Sequence, residues 1–370
     1  MQTQQHRLEG IVAAYPLELI APPEELLFVD IETTGFSANT SYLYMIGCLY
    51  YTQNEFHTIQ WFADNYEEES EIIHSFFRFS ESFHYLVHYN GNGFDLPYLN
   101  KKIEKYHLPY LLDRFESIDI YKRIMPYKQI LALENLKQKS IEAFLLVNRN
   151  DLYNGGQLIS IYHDYVKSPT SYHYELLLLH NLDDLKGMLQ ILPILSYYDL
   201  FHSTLQFEKV LLHEYEDIHG INRRELLLTC SANQPLPVNI SYQKDNCRIM
   251  CNACQVKFRV PLLHTELKYY LPDYKDYYYL PMEDSAIHKS AAAYVDHAHR
   301  VPATQATCYV KKEANFLPQW HSRFSPEFKT ALRSAESYFC FEDSFLKDEH
   351  SLNVYINDLL HFFPHKKGHL

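Results

Sequence analysis

Short apolar runs separated by polar turns mark the first part of the chain. LLFVDIET (26 to 33), MIGCLYY (45 to 51) and FHTIQWFA (56 to 63) predict three consecutive strands. EEESEIIHSFFRFSE (67 to 81) puts acids in a first turn and apolar residues at helical spacing, and FHYLVHYN (83 to 90) returns to strand. A helix is expected from about Leu96 to His107, then a short strand at FESIDIY (115 to 121). Further helices are expected near 133 to 145, 156 to 167 and 173 to 200.

Beyond Phe201 the pattern changes to short alternating segments rich in proline and aromatic residues, such as TCSANQPLPVNISYQ and RIMCNACQVKFRVPLL, with one helix expected from about Met282 through SAIHKSAAAYV. The predicted class is α/β, a mixed sheet flanked by helices, followed by a second, smaller β-rich (α+β) domain. The expected divisions are an N-terminal extension over 1–23, a first domain over 24–205 and an accessory domain over 206–370. A length of 370 residues exceeds what one hydrophobic core usually serves, which favours two domains.

Charge sharpens the division. The net charge of −13 is concentrated early: residues 201–370 hold 19 Lys+Arg against 20 Asp+Glu, and the rest of the chain holds 14 against 26. An acidic surface repels a polyanion, whereas an acidic site that binds a divalent cation reverses the local sign. The seven cysteines are odd in number and irregularly spaced, which suits reduced thiols. With no leader-like start and no apolar run of membrane-spanning length, a cytoplasmic protein with no membrane partner is expected.

Asp30 and Glu32 stand two apart on an apolar strand, so both side chains leave the same face. Two solvated acids at a strand end would look the same. Asp95 follows a strand through Asn90-Gly91-Asn92-Gly93, where glycines are expected to supply the positive φ of a sharp turn. Asp95 then either caps a helix or faces Asp30. His180 and Asp184 share one face of a mostly buried helix, where a satisfied core histidine is the ordinary alternative. Taken together, four carboxylates make an all-oxygen donor set suited to Mg²⁺ or Mn²⁺, and two such ions support phosphodiester hydrolysis.

In order and spacing, Asp30-x-Glu32, Asn90-x3-Phe94-Asp95 and His180-x3-Asp184 resemble the three motifs of the DEDD superfamily, the ribonuclease H-like 3′→5′ exonucleases. YNGNGFDLPYL is similar to the second exonuclease motif of family B DNA polymerase proofreading domains. ENLKQKSIEAFL and GGQLISIYHDYV are similar to segments of bacterial ribonuclease H-like proteins of the same kind. The resemblance covers residues 24 to 200. It implies a ribonuclease H-like fold, metal ligation by Asp30, Glu32, Asp95 and Asp184, and a water-orienting or general-base role for His180. Thr33, Asn90 and Phe94 would lie against substrate. The implied partner is a DNA or RNA 3′ end, with two Mg²⁺ or Mn²⁺ ions and no organic cofactor. The third motif departs from the family, whose subclasses have Tyr-x3-Asp or His-x4-Asp; here a histidine stands at the tyrosine-type spacing. Asp183 lies about 100° away around the helix from Asp184, which is the expected ligand.

Other features carry less. Cys247-x3-Cys251-x2-Cys254, with Cys230 upstream, holds one CxxC and reads as ordinary thiols before zinc. DYKDYYYL reads as a strand packing its rings before a base-stacking surface. Asp119 either supports the acidic site or is structural. The sequence therefore leads to a metal-dependent 3′→5′ exonuclease, with a catalytically inactive scaffold that binds nucleic acid or a protein as the rival.

Overall fold

The computed structural model describes residues 1–147 and 155–364. The chain divides into two compact units, Met1–Asp199 and Leu200–Leu370. In the first, a six-stranded sheet has the order β1-β4-β3-β2-β5-β6, where β1 is Gln2–Leu8, β2 Leu26–Thr33, β3 Leu43–Thr52, β4 Glu55–Phe62, β5 Tyr85–His88 and β6 Glu116–Asp119. β1 to β4 pair antiparallel, whereas β2, β5 and β6 run parallel. This is a mixed sheet, and its central strand β3 is buried along its first eight residues, as expected of a strand covered on both faces. The residues before 24, expected as an extension, instead add an edge strand: Gln2 to Leu8 pair in register with Phe62 to Phe56. Most of those side chains remain exposed, so the strand has no apolar signature.

The helices are α1 (Glu69–Phe79), α2 (Asp95–Lys105), α3 (Ile120–Ile124), α4 (Gln138–Phe144), α5 (Gly155–Lys167) and α6 (Ser171–Gln190), followed by α7 (Leu195–His202). Thr170 caps α6 by accepting from the His173 amide, and α6 ends where Leu192–Ile194 forms a 3-10 turn. The long helix expected to run to 200 is thus broken, with Pro193 at the break. Core side chains of β2, β3, β4, α1, α2, α5 and α6 form one cluster.

A buried ion pair fixes the loop that follows β2. Lys102 Nζ lies 2.7 Å from Glu69 Oε1 with both side chains inaccessible, and donates to the Ser41 carbonyl at 2.6 Å. Glu69 Oε1 also accepts from the Leu43 amide at 2.6 Å. α1, α2 and the 34–42 loop are thereby tied at one point.

The second unit is strand-rich. β7 (Gln206–Glu216), β8 (Asn222–Ser231), β9 (Ile240–Lys244) and β10 (Cys247–Asn252) join the first half of the long β11 (Gln255–Tyr270) in the order β7-β8-β11-β10-β9. The second half of β11 pairs with the strand Tyr309–Gln319. The unit ends in a helix, α8 (Glu349–Phe362). The helix expected from Met282 is not formed: Ser285 to His288 pair antiparallel with Leu280 to Tyr277, and Ala291–Tyr294 is a 3-10 turn. The local alanines were outweighed by strand pairing with the tyrosine run. Cys230, Cys247 and Cys251 are buried in the sheet. Burial pushes their thiols up to about 12, and none joins a metal-ligating set among the described residues. No helix among the described residues is long and apolar enough to cross a membrane.

Candidate active site

The acids gather at the carboxyl ends of β2 and β5, where the chain proceeds to β3 on one side and to β6 on the other. In open α/β sheets such a reversal leaves a crevice. β2 and β5 pair only from Leu26 to Phe28, so the strands part before Asp30. Asp95, the first residue of α2, closes the gap: backbone N–H groups of Ile31 and of Asp95 itself donate to its carboxylate. Burial nevertheless dominates and pushes the Asp95 carboxyl up to about 7.

Asp30 and Glu32 project from the same face, as period two requires. Burial, followed by the charges of Asp184, Glu32 and Asp95, holds the Asp30 carboxyl well above the ordinary range. Asp184, Glu32 and Asp95 are therefore close enough to Asp30 to oppose its ionisation. Ligand atoms of Glu32, His180 and Asp184 lie within 4.8 Å of one another. His180 Nε2 is 3.2 Å from Asp184 Oδ2 and 3.8 Å from Glu32 Oε1. Asp30, Asp95 and Asp183 are not in that cluster. Tyr44 donates to Glu32 Oε2 at 3.3 Å while its ring stacks on Tyr162.

A polar bridge that sequence reasoning missed orients Asp30. Asp30 on β2, Gly47 on β3 and Gln60 on β4 are neighbours across three strands. The buried Asn181 of α6 lies over the glycine, donating through Nδ2 to Asp30 Oδ2 at 2.8 Å and accepting from Gln60 Nε2 at 2.8 Å. A Cβ at position 47 would fall 1.8 Å from Asn181 Oδ1, so the bridge requires glycine there. A lone glycine inside the buried run MIGCLYY was the available signal. Gly187 serves α6 similarly, because a Cβ would meet Glu142 Oε1 at 2.4 Å, and Gln138 donates to the Asp184 carbonyl at 3.1 Å.

The HYNGNGFD turn differs from expectation in its mechanism. The left-handed residue is Asn90 (φ 61°), and neither Gly91 nor Gly93 has positive φ. The glycines provide space: a Cβ on Gly91 would meet the His88 ring at 2.6 Å, and one on Gly93 would meet Asn90 Oδ1 at 2.8 Å. Asp119, ambiguous in the sequence, accepts from the amides of Asn90 (3.0 Å) and Asn92 (3.2 Å). His88 accepts the Gly91 amide at Nδ1, leaving Nε2 to donate to Ser117 Oγ at 2.8 Å. Burial holds the His88 imidazole down at about 4, against the raising pull of Asp119.

Thr33 uses its hydroxyl on the Gly35 carbonyl at 2.9 Å. Phe94, half-buried, meets the edge of Phe36, which is 92% exposed.

Residues 27–196 match the family model RNase_H_2 of the RNase_H superfamily. The mixed sheet flanked by helices in the first domain fits the ribonuclease H-like fold over those residues. A solved structure similar to this chain is the family B DNA polymerase from the hyperthermophilic archaeon Pyrobaculum calidifontis, with 18% identity and a TM-score of 0.40 over 48% of this chain. The chain spans about a quarter of that polymerase, 26% of its length. No curated protein matches the sequence.

The donor set of this ribonuclease H-like site fits a hard divalent cation. It offers the carboxylate oxygens of Glu32 and Asp184, with the His180 imidazole among them and Asp30 under their charge.

Proposed function

We propose that the ribonuclease H-like domain is a metal-dependent nuclease that hydrolyses phosphodiester bonds from the 3′ end of a nucleic acid. The observation that supports this reading is the cluster of Glu32, His180 and Asp184, whose ligand atoms lie within 4.8 Å of one another, with Asp30 within reach of the charges of Asp184, Glu32 and Asp95. Asp30, Glu32, Asp95 and Asp184 would hold Mg²⁺ or Mn²⁺. When bound, two such ions lower the pKa of a water and offset charge on the leaving oxygen. Asn181 donates to one Asp30 oxygen, Oδ2, and so would orient the carboxylate for an ion. His180, beside Glu32 and Asp184, would accept the proton of the attacking water or orient it. Water adds to phosphorus as the P–O3′ bond breaks, and the departing 3′ oxygen takes a proton from solvent. Phe36 and Phe94 present aromatic surface near the acids, where a terminal base could stack.

The experiment is Mn²⁺-dependent degradation of end-labelled DNA and RNA strands by wild type and by Asp30→Ala. The reading expects activity that is lost in the variant while the circular dichroism spectrum is kept. If no substrate of any end structure is degraded, the reading fails. The scaffold reading draws on one contact, His180 Nε2 against Asp184 Oδ2 at 3.2 Å, which would engage the imidazole with a ligand carboxylate instead of a water. Calorimetric titration separates the two: Mn²⁺ binding that disappears in Asp30→Ala supports the enzyme, and no binding supports the scaffold.

A further inference from the structure

The sheet of the second unit has two unlike faces. Alternation sends Leu226, Leu228, Val256, Phe258, Val260 and Ile249 to the buried side. The cross-strand register places the opposite set together: Arg248 pairs with Arg259, Met250 with Lys257, Lys257 with Thr229, Thr229 with Lys209, and Tyr215 with Arg223. Paired residues in an antiparallel sheet share a face. One face therefore carries Lys209, Arg223, Arg248, Lys257 and Arg259 across β7, β8, β11 and β10.

The carboxylate that the register places on this face is Glu225, which is buried and accepts from Arg259 at 2.8 Å, whereas Glu214 of β7 pairs with Arg224 at 3.0 Å. Asp217, in the turn after β7, pairs with Arg223 at 2.9 Å. Among the described residues, no carboxylate pairs with Lys209, Arg248 or Lys257; Arg248 donates to the neutral Gln243 at 2.9 Å. A cavity of about 510 Å³ opens over part of this face, lined by Tyr215, Arg223, Arg248 and Arg259 together with the carboxylates of Glu225 and Asp245.

We propose that this face binds the phosphate backbone of a nucleic-acid strand. The proposal rests on the nuclease reading of the first domain and supplies what that domain lacks. Met1–Asp199 holds 14 Lys+Arg against 26 Asp+Glu, so its surface repels the polyanion its site would cut, whereas five cations here share one sheet face. Arginine suits phosphate through its planar set of donors, and the half-exposed Tyr215 offers a ring on which a base can stack.

The test uses the full chain in EDTA, where no metal-dependent cutting occurs, and fluorescence anisotropy of a labelled single-stranded oligonucleotide over a salt series. Wild type should bind, with a log-log salt slope near −0.7 per phosphate contact. Arg248→Glu and Lys257→Glu should each weaken binding roughly tenfold at low salt and flatten the slope by about 0.7. Lys347→Glu, an exposed charge elsewhere in the unit, should change neither. Heparin should compete, because the contacts are to charge. The proposal is overturned if wild type does not bind, or if all three reversals act alike. Loss of binding in Arg248→Glu supports the face even if no strand is ever cut. Unchanged binding in Arg248→Glu and Lys257→Glu overturns it while leaving the nuclease reading intact.

Discussion

Replacing Gly47 by alanine tests the bridge that aims Asp30. The Gly47 backbone lies outside the left-handed region, so alanine meets no conformational obstacle there. Its effect is steric: the new Cβ would lie 1.8 Å from Asn181 Oδ1 and 2.7 Å from Cγ, and the side chain must leave its place between Gln60 and Asp30. Overpacking costs about 1–3 kcal/mol, and a lost hydrogen bond to a charged group about 1.5–3 kcal/mol. Gln60 keeps its bond to the Leu178 carbonyl at 3.0 Å, which limits the loss. The expected total is about 3 kcal/mol of stability. Mn²⁺ affinity should fall about 10- to 100-fold, as when partners of metal ligands are removed. Urea unfolding and calorimetric titration read the two effects. Asn181→Ala supplies the decisive control, since it removes the obstacle that alanine at 47 would strike. In that background Gly47→Ala should cost little. If the two substitutions are instead additive in both stability and metal affinity, the bridge does not exist as described.

Removing the charge of Lys102 by substitution to methionine should destabilise by about 3 kcal/mol, because Glu69 is left buried; Lys105, 3.6 Å from Glu69 Oε2, keeps the cost toward the low end. The double variant Lys102→Met, Glu69→Gln should recover part of that loss in urea midpoint. The carboxyls of Asp30 and Asp95 are raised, the latter to about 7. Their ionisation costs nothing below the unfolded carboxylate pKa, and the cost grows as pH climbs toward 7. Mn²⁺ should therefore raise Tm more at about pH 8 than at about pH 6, and an equal rise would contradict the linkage. His88 is depressed to about 4, so its stabilisation is complete above the unfolded pKa of about 6.5 and is lost as pH falls toward 4. His88→Gln should flatten that acid limb by up to about 3 kcal/mol in a urea series across this pH range.

What the sequence reveals depends on how local each cause is. Asp30 and Glu32 share a face because strands have period two, and His180 and Asp184 because helices return every 3.6 residues, so both pairs are legible without a structure. Asn181 is not, although it sits between those two helix positions. Its role arises only when α6 crosses β2, β3 and β4 at Gly47. In the Asn90 to Gly93 turn the glycines were visible but their purpose was misread: His88 and Asn90 need the space, and Asn90 takes the left-handed conformation itself. Gln2–Leu8 was missed because an edge strand buries little, and Ser285–His288 because its strand state comes from pairing with Tyr277–Leu280. α8 gave an apolar stripe that passed unused among the β-like segments around it. The arginine face required the register of four strands.

The most direct test of the central claim is the anomalous difference map of crystals soaked in Mn²⁺. The account predicts peaks among Asp30, Glu32, Asp95 and Asp184, with Asn181 still holding Asp30 and with the peaks absent in Asp30→Ala. A map from ordered, Mn²⁺-saturated crystals with no density among those four carboxylates would contradict it.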